Sequence, residues 1–265
     1  LIFPAFLGQN AGSNLSVSMI GFIIMGVGLP LLGVLVMGYS GAQDLLDLSS
    51  RAGKAFGLTF TTLLYLTIGP FFAIPRTGTT TYELGLSSFV SPENTVVAQA
   101  IFLAVFMGIT LWLSLTPNKL VDRIGTVITP VLLISMIILI IASLLNPMGS
   151  AQAPTEAYST NSLAFTNGLM EGYNTMDARA ALVFGIIVIN SVKLYGAKTE
   201  KQIFSNTTKA AVIAALLLAL VYVFISNIGT TSVSVLGLQK TGAGVLTGAT
   251  TYYFGNVGKI LLFII

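Results

Sequence analysis

The 265-residue chain has no cysteine and no histidine. Disulfides, thiol nucleophiles, thiolate or histidine metal sites and a Ser–His–Asp triad are therefore excluded. Charge is scarce as well: 12 Lys+Arg and 9 Asp+Glu amount to 8% of the residues, against about 25% in a soluble domain. A chain with so few charged groups cannot cover a water-facing surface of ordinary composition. Its net charge of +3 is spread thinly and makes no basic stripe, so no nucleic-acid partner is expected. What is abundant is apolar. Hydrophobic residues make up 54% and the mean hydropathy is +0.90, which points to an all-α polytopic membrane protein surrounded by lipid. The chain opens on Leu1-Ile2-Phe3-Pro4 without a basic signal-peptide region and closes on Leu261-Leu262-Phe263-Ile264-Ile265. Both ends are expected to cut through membrane segments, so that a site shared with further helices is only partly present.

A bilayer core of about 30 Å needs roughly 20 apolar residues per helix. The apolar runs are too long for strands and do not alternate, which leaves helices. Eight segments are expected: about 1–10, 15–39, 53–86, 94–115, 120–146, 162–193, 208–232, and one starting near 254. Ser40-Gly41-Ala42-Gln43-Asp44, Ser91-Pro92-Glu93-Asn94, Thr116-Pro117-Asn118-Lys119 and Asn146-Pro147-Met148-Gly149 supply turn chemistry between them. Basic residues favour cytoplasmic loops. With segment one running outward, Arg51, Lys54, Lys119, Arg123, Lys193, Lys198, Lys201 and Lys209 lie inside, and only Lys240 and Lys259 outside. The opposite orientation would invert that ratio. Gly21, Gly26, Gly33 and Gly38 mark close helix contacts in segment two, and Pro30 is expected to kink it. The Gly26-Val27-Gly28 string has no preceding strand and is not a dinucleotide loop. Trp112 and Tyr252-Tyr253 have the character of interface belt residues.

The exceptions to the apolar pattern carry the information. Segment six holds Glu171-Gly172-Tyr173-Asn174-Thr175-Met176-Asp177-Ala178-Arg179 in its middle. Asp177 is fifteen residues after Ser162 and sixteen before Lys193, about 22–24 Å from either end of a continuous helix. Charge at mid-bilayer costs at least about 2.5 kcal/mol and marks ion or solute paths. Irregular backbone at that depth is tolerated only where it lines protein or a cavity. Two readings stand: a helix broken around a solute site, or a re-entrant loop with one short helix from Ala178 to Val192 and Asp177 as its N-cap. Asp177 pairs with Arg76 or Arg179 through irregular backbone, either as a static neutralising pair or as a gate. In segment three, Pro70 and Pro75 each free a carbonyl. Arg76 lies 22 residues after Lys54, about 33 Å along a continuous helix. It either snorkels at the outer interface or gates a path. Tyr222, Ser226 and Asn227 are expected to make ordinary interhelical hydrogen bonds.

These strings resemble a known family. LIFPAFLGQNAGSN followed by GVGLPLLGV is similar to the first two helices of the bacterial branched-chain amino acid:cation symporters. IGPFFAIPRTGTTTYE resembles their third helix and EGYNTMDARAALVFGIIVIN their sixth. The resemblance covers nearly the whole chain; Pro4-Ala5 departs where two prolines are the pattern. It implies a LeuT-like fold of five-plus-five inverted-repeat helices, truncated here at both ends, running from the outer half of helix one to early helix eight. It implies Na⁺-coupled uptake of Leu, Ile and Val by alternating access across the bacterial cytoplasmic membrane, with Na⁺ as coupling ion and no other cofactor. The implied substrate-binding residues are Leu1, Ile2, Phe3 and Pro4 of helix one, Gly69, Pro70 and Phe72 of helix three, and Gly172, Tyr173, Asn174 and Thr175 of helix six. Thr166, Arg76, Glu171 and Asp177 are the implied cation or gating residues, and the main Na⁺ ligands belong to the absent parts of helices one and eight.

Other functions remain as alternatives: another LeuT-like amino acid or solute symporter, or a channel or sensor, although the repeated pore motifs or charge rings of channels are missing. An enzyme is not expected, because Asp177 is the only aspartate placed mid-span.

Overall fold

The computed structural model describes residues 1–87, 90–115, 125–126 and 129–264. Among these, every regular element is helical and no strand occurs. The helices are α1 (Ile2–Ala11), α2 (Leu15–Ile23), α3 (Leu29–Ser40), α4 (Leu45–Ser50), α5 (Lys54–Leu66), α6 (Ala73–Gly85), α7 (Thr95–Ser114), α8 (Thr129–Leu145), α9 (Asn161–Asn174), α10 (Asp177–Leu194), α11 (Glu200–Leu236) and α12 (Gly242–Ile264).

Four helical stretches are long and apolar enough to cross a membrane: Ile2–Ser40, Lys54–Gly85, Thr95–Ser114 and Glu200–Leu236. The helices α9 and α10 meet the same criterion only when taken together, as a pair bent by 41°, and α8 is a shorter apolar helix. Large side chains such as Leu111, Trp112 and Leu216 stand mostly exposed, and α7 buries none of its residues within the chain. Such surfaces are unfavourable in water, where burial is worth about 25 cal/mol per Å². They are at ease against lipid tails.

Several boundaries differ from those expected. Segment three is not one helix: a wide turn over Thr67–Phe71 separates α5 from α6, with Gly69 off the helical conformation (φ −84°, ψ −121°). Pro70 lacks the amide a continuous helix would need there. Segment two is also modulated, by a wide turn at Ile24–Gly28 just before Pro30. Segment seven extends to Glu200–Leu236. A capping box starts it, in which Thr199 Oγ1 accepts from the Gln202 amide at 3.3 Å and Gln202 Oε1 accepts from the Thr199 amide at 3.4 Å. The last segment begins at Gly242 rather than near 254, and its helix is interrupted at Gly255 (φ 56°). The glycine- and threonine-rich start lacks an apolar run but fits against α1, where a Cβ on Gly242 would strike the Ile2 carbonyl. Residues 116–124 and 127–128, which include the start of the expected fifth segment, lie outside the described residues.

Two apolar clusters hold the helices together. One joins Ala5, Leu139, Ile225, Ile228, Val245 and Leu246 across α1, α8, α11 and α12. The other joins Leu7, Met19, Phe22, Ala164 and Tyr222 across α1, α2, α9 and α11, with Tyr158 from the short turn Glu156–Tyr158 before α9. Between them, backbones approach through glycine. A Cβ on Gly168 would strike the Ser18 carbonyl, and one on Gly21 the Phe165 carbonyl, so α2 and α9 touch reciprocally. Gly26 lies against Gly172, Gly33 against Ala181 and Gly38 against Thr207. The segment-two glycines thus seat helix two on the broken segment and on α11.

Candidate functional site: a broken helix beside a charged cavity

Segment six breaks at Thr175–Met176. α9 ends where Thr175 Oγ1 donates to the Gly172 carbonyl at 2.8 Å and the Met176 amide to the Tyr173 carbonyl at 3.2 Å. Met176 adopts the left-handed conformation (φ 64°, ψ 6°), the one non-glycine residue to do so among those described. That reversal starts α10 afresh: the Arg179 and Ala180 amides donate to the Met176 carbonyl at 3.0 and 3.1 Å. A left-handed non-glycine residue costs about 1–3 kcal/mol and persists only where its surroundings hold it, commonly at functional sites. A β-branched residue is worse there. Met176→Val is accordingly expected to destabilise the full-length parent by about 1–3 kcal/mol, while Met176→Gly, free of that penalty, stays within about 1 kcal/mol; thermal unfolding of both purified variants checks this.

Asp177, the first residue of α10, does not pair with an arginine. Its Oδ2 accepts a hydrogen bond from the Tyr222 hydroxyl of α11 at 2.7 Å. Among the described residues, the one ion pair within 4.0 Å is Arg51–Asp47, on the exposed surface. Tyr222 is buried, with its ring edge-on to Phe22 at 5.2 Å. Tyr222 thus makes the interhelical hydrogen bond expected of it, and the partner it meets ties α11 to the break.

Arg76 comes from α6 to the other side of the break. Its Nη1 donates to the Asn174 carbonyl at 3.2 Å, satisfying one of the orphan acceptors at the end of α9. The guanidinium lies 4.4 Å from the Phe3 ring centre and 5.7 Å from that of Phe72, in cation–π range. The interruption at Gly69–Phe72 redirects α6, so the distance along a continuous helix does not describe where Arg76 sits. Arg179 lies 4.8 Å over the Tyr173 ring.

These groups enclose three adjoining cavities. The first, of about 300 Å³, is bounded by Ile2, Phe3, Arg76, Thr77, Thr175 and Asp177. The second, of about 460 Å³, lies among Thr67, Phe71, Phe72, Tyr173 and Arg179, and shares Arg76 as a wall. The third, of about 210 Å³, holds Glu171 and Lys240 beside Phe6 and Asn174. Among the described residues no three carboxylates converge. A cation here would therefore rely on hydroxyl and carbonyl oxygens, with single carboxylates such as Asp177.

The residues singled out from the sequence divide accordingly. Ile2, Phe3, Phe72, Tyr173, Asn174, Thr175, Arg76, Glu171 and Asp177 line the cavities. Leu1 packs with Ile2 against an apolar cluster. Pro4 is fully buried. Gly172 is taken up in packing against helix two, where a Cβ would lie 2.5 Å from the Phe22 carbonyl. Gly69 and Pro70 form the turn that separates α5 from α6. Thr166 is exposed on α9, apart from these cavities. Met176, already placed in the break, joins the linings, and Thr77, Thr80, Thr81 and Lys240 join them without having been anticipated; only the threonine run beside Arg76 hinted at a polar wall.

Gln9 was not anticipated either. Almost wholly buried, it donates through Nε2 to Ser232 Oγ at 2.8 Å and to the Gly237 carbonyl at 3.2 Å, and its Oε1 accepts from the Gln239 amide at 2.9 Å.

Several apolar helices long enough to cross a membrane, with a bent helix pair beside a cavity that carries both signs of charge, define an integral membrane protein of the polytopic helical class. Residues 1–265 match the family described as branched-chain amino acid transport protein, and the chain belongs to that family, whose members are transport proteins rather than enzymes. It is 47% identical over 262 residues to the branched-chain amino acid permease BrnQ of Bacillus subtilis (strain 168), covering 99% of this chain and 59% of that protein. It is 42% identical to the permease BraB of the same organism, over 99% of this chain and 58% of BraB. It is 40% identical to BrnQ of Lactobacillus delbrueckii subsp. lactis, over 98% and 59% of the two chains. The chain thus spans somewhat under 60% of the length of these relatives. No solved structure matches it.

Proposed function

We propose that the protein of which this chain is part takes up branched-chain amino acids by secondary, Na⁺-coupled transport, with alternating access around the break in segment six. The observation that carries this is the interruption at Thr175–Met176, flanked by Arg76 and Asp177 on one cavity. A broken helix presents amide ends to an anionic group and carbonyl ends to a cation, which is how transporter sites near the bilayer midplane are built. Family membership supports the substrate class, since the relatives quoted above are named for branched-chain amino acids. On this reading the fold is the LeuT-like inverted repeat. The bacterial cytoplasmic membrane is the location, and segments one, two, six and seven move together against the rest. The reciprocal glycine contacts between α2 and α9 favour such joint motion, because helices in backbone contact move as one body.

The test is uptake by the full-length parent in proteoliposomes. Leucine accumulation is expected to follow an inward Na⁺ gradient and to show saturation and counterflow. Uptake indifferent to gradients of both Na⁺ and H⁺ would sink the coupled mechanism, and a non-saturating flux would favour a channel.

A further inference from the structure

We infer that Arg76 and Asp177 form a two-charge reader for a zwitterion, Arg76 taking the carboxylate and Asp177 the ammonium of one amino acid held in the cavity of about 300 Å³ between them. The choice of leucine as probe rests on the transport reading above; the assignment of the two charges does not.

Both side chains line the same cavity, yet they are not within ion-pair distance of each other. A static neutralising pair would be in contact. Instead each charge is held by neutral groups. Asp177 is fixed through one oxygen by the Tyr222 hydroxyl, and Arg76 through one N–H by the Asn174 carbonyl, with Phe3 beneath the guanidinium. These contacts leave most of their capacity unused, because a carboxylate has about four acceptor sites and a guanidinium five donors. Separated, half-buried charges in low dielectric are costly until compensated. A zwitterion compensates both at once, whereas an amine or an acid compensates one and leaves the other. Ile2, Ile68, Ala73 and Ala180 on the same walls offer apolar surface to an aliphatic side chain. The cavity volume lies at the lower end of small-ligand pockets, which suits a single amino acid. Tyr222 is a positioning residue here, acting on the ligand through the oxygen of Asp177 it holds.

The experiment is competition against tritiated leucine on the full-length parent in nanodiscs, using leucine, 3-methylbutan-1-amine and 4-methylpentanoate, at fixed and at varied Na⁺. In the parent, leucine is expected to compete about 10- to 100-fold better than either singly charged analogue, the range set by one charge-assisted contact. Asp177→Asn is expected to weaken leucine by a similar factor and to leave 4-methylpentanoate unchanged. Arg76→Gln is expected to weaken leucine and to leave the amine unchanged. Arg76→Lys and Asp177→Glu, which keep the charge, preserve the preference for the zwitterion. Tyr222→Phe is expected to lower the preference for leucine over the acid by about 3- to 10-fold and to leave that over the amine intact. Equal competition by all three compounds in the parent overturns the proposal without any variant. So does an equal loss for all three in both charge-removing variants. A shift in Na⁺ half-saturation on Asp177→Asn with unchanged preference for leucine over the acid assigns Asp177 to the cation instead and overturns it too. Loss of gradient dependence in uptake removes the transport reading alone, since the competition pattern is read without a gradient.

Discussion

Gly229→Leu is expected to produce the largest loss of stability of any substitution considered, about 3 kcal/mol or more. A Cβ at Gly229 would strike the Ala5 carbonyl and lie 3.1 Å from the Gln9 amide, and one at Gly8 would strike the Ser226 carbonyl. Thr230 Oγ1 seals the same crossing by donating to the Gly8 carbonyl at 2.9 Å. The obstruction on both sides is backbone, which cannot turn aside as a side chain can. Overpacking usually costs about 1–3 kcal/mol; here α1 and α11 must separate along the crossing, which also opens the apolar cluster of Ala5, Ile225 and Ile228. The measurement is thermal unfolding of the full-length parent and variant in detergent. Gly108→Leu is the control: it lies in α7, and a Cβ there meets nothing within 4 Å. An equal loss at the two positions would show that the crossing is not the cause. Because α1 carries Ile2 and Phe3 to the cavity, Gly229→Leu is also expected to abolish leucine uptake.

The second large effect is expected from Gln9→Leu. Leucine fits the volume but offers no polar atom. The Ser232 hydroxyl, the Gly237 carbonyl and the Gln239 amide then lose their shared partner. An unsatisfied buried group costs about 1–3 kcal/mol, but interhelical hydrogen bonds in membranes average only about 0.6 kcal/mol. Ser232 Oγ also retains its bond to the Gly229 carbonyl at 2.7 Å. A net loss of about 2 kcal/mol is therefore expected, mainly from the turn at Gly237–Gln239 that follows α11. Thermal unfolding measures it, and proteolysis at that turn should accelerate. Unchanged stability would show that the turn finds other partners.

Much of the molecule was legible in the sequence. The scarcity of charge marked a membrane protein. Glu171 to Arg179, polar in the middle of an apolar run, located the break, because bilayers penalise such residues in an unbroken span. The strings of segments one to three and six indicated the family, which the match over residues 1–265 shows. Segment lengths were less legible. The polar first turns of α11 and the glycine- and threonine-rich start of α12 carry little hydropathy signal, so their helices were cut short. The wide turn at Thr67–Phe71 was hidden because proline within an apolar run signals either a kink or a break.

The sequence by itself determined the membrane class and the place where one helix fails, since both follow from local composition, and its strings carried the resemblance to the family. Which polar groups meet depended on the tertiary structure. Asp177 finds Tyr222, 45 positions away, and Arg76 finds the Asn174 carbonyl, 98 away. Those partners are chosen by which helices come together, and at the α2–α9 and α1–α11 crossings it is glycines that let the backbones meet. A linear pattern records each glycine but not the backbone that will rest against it.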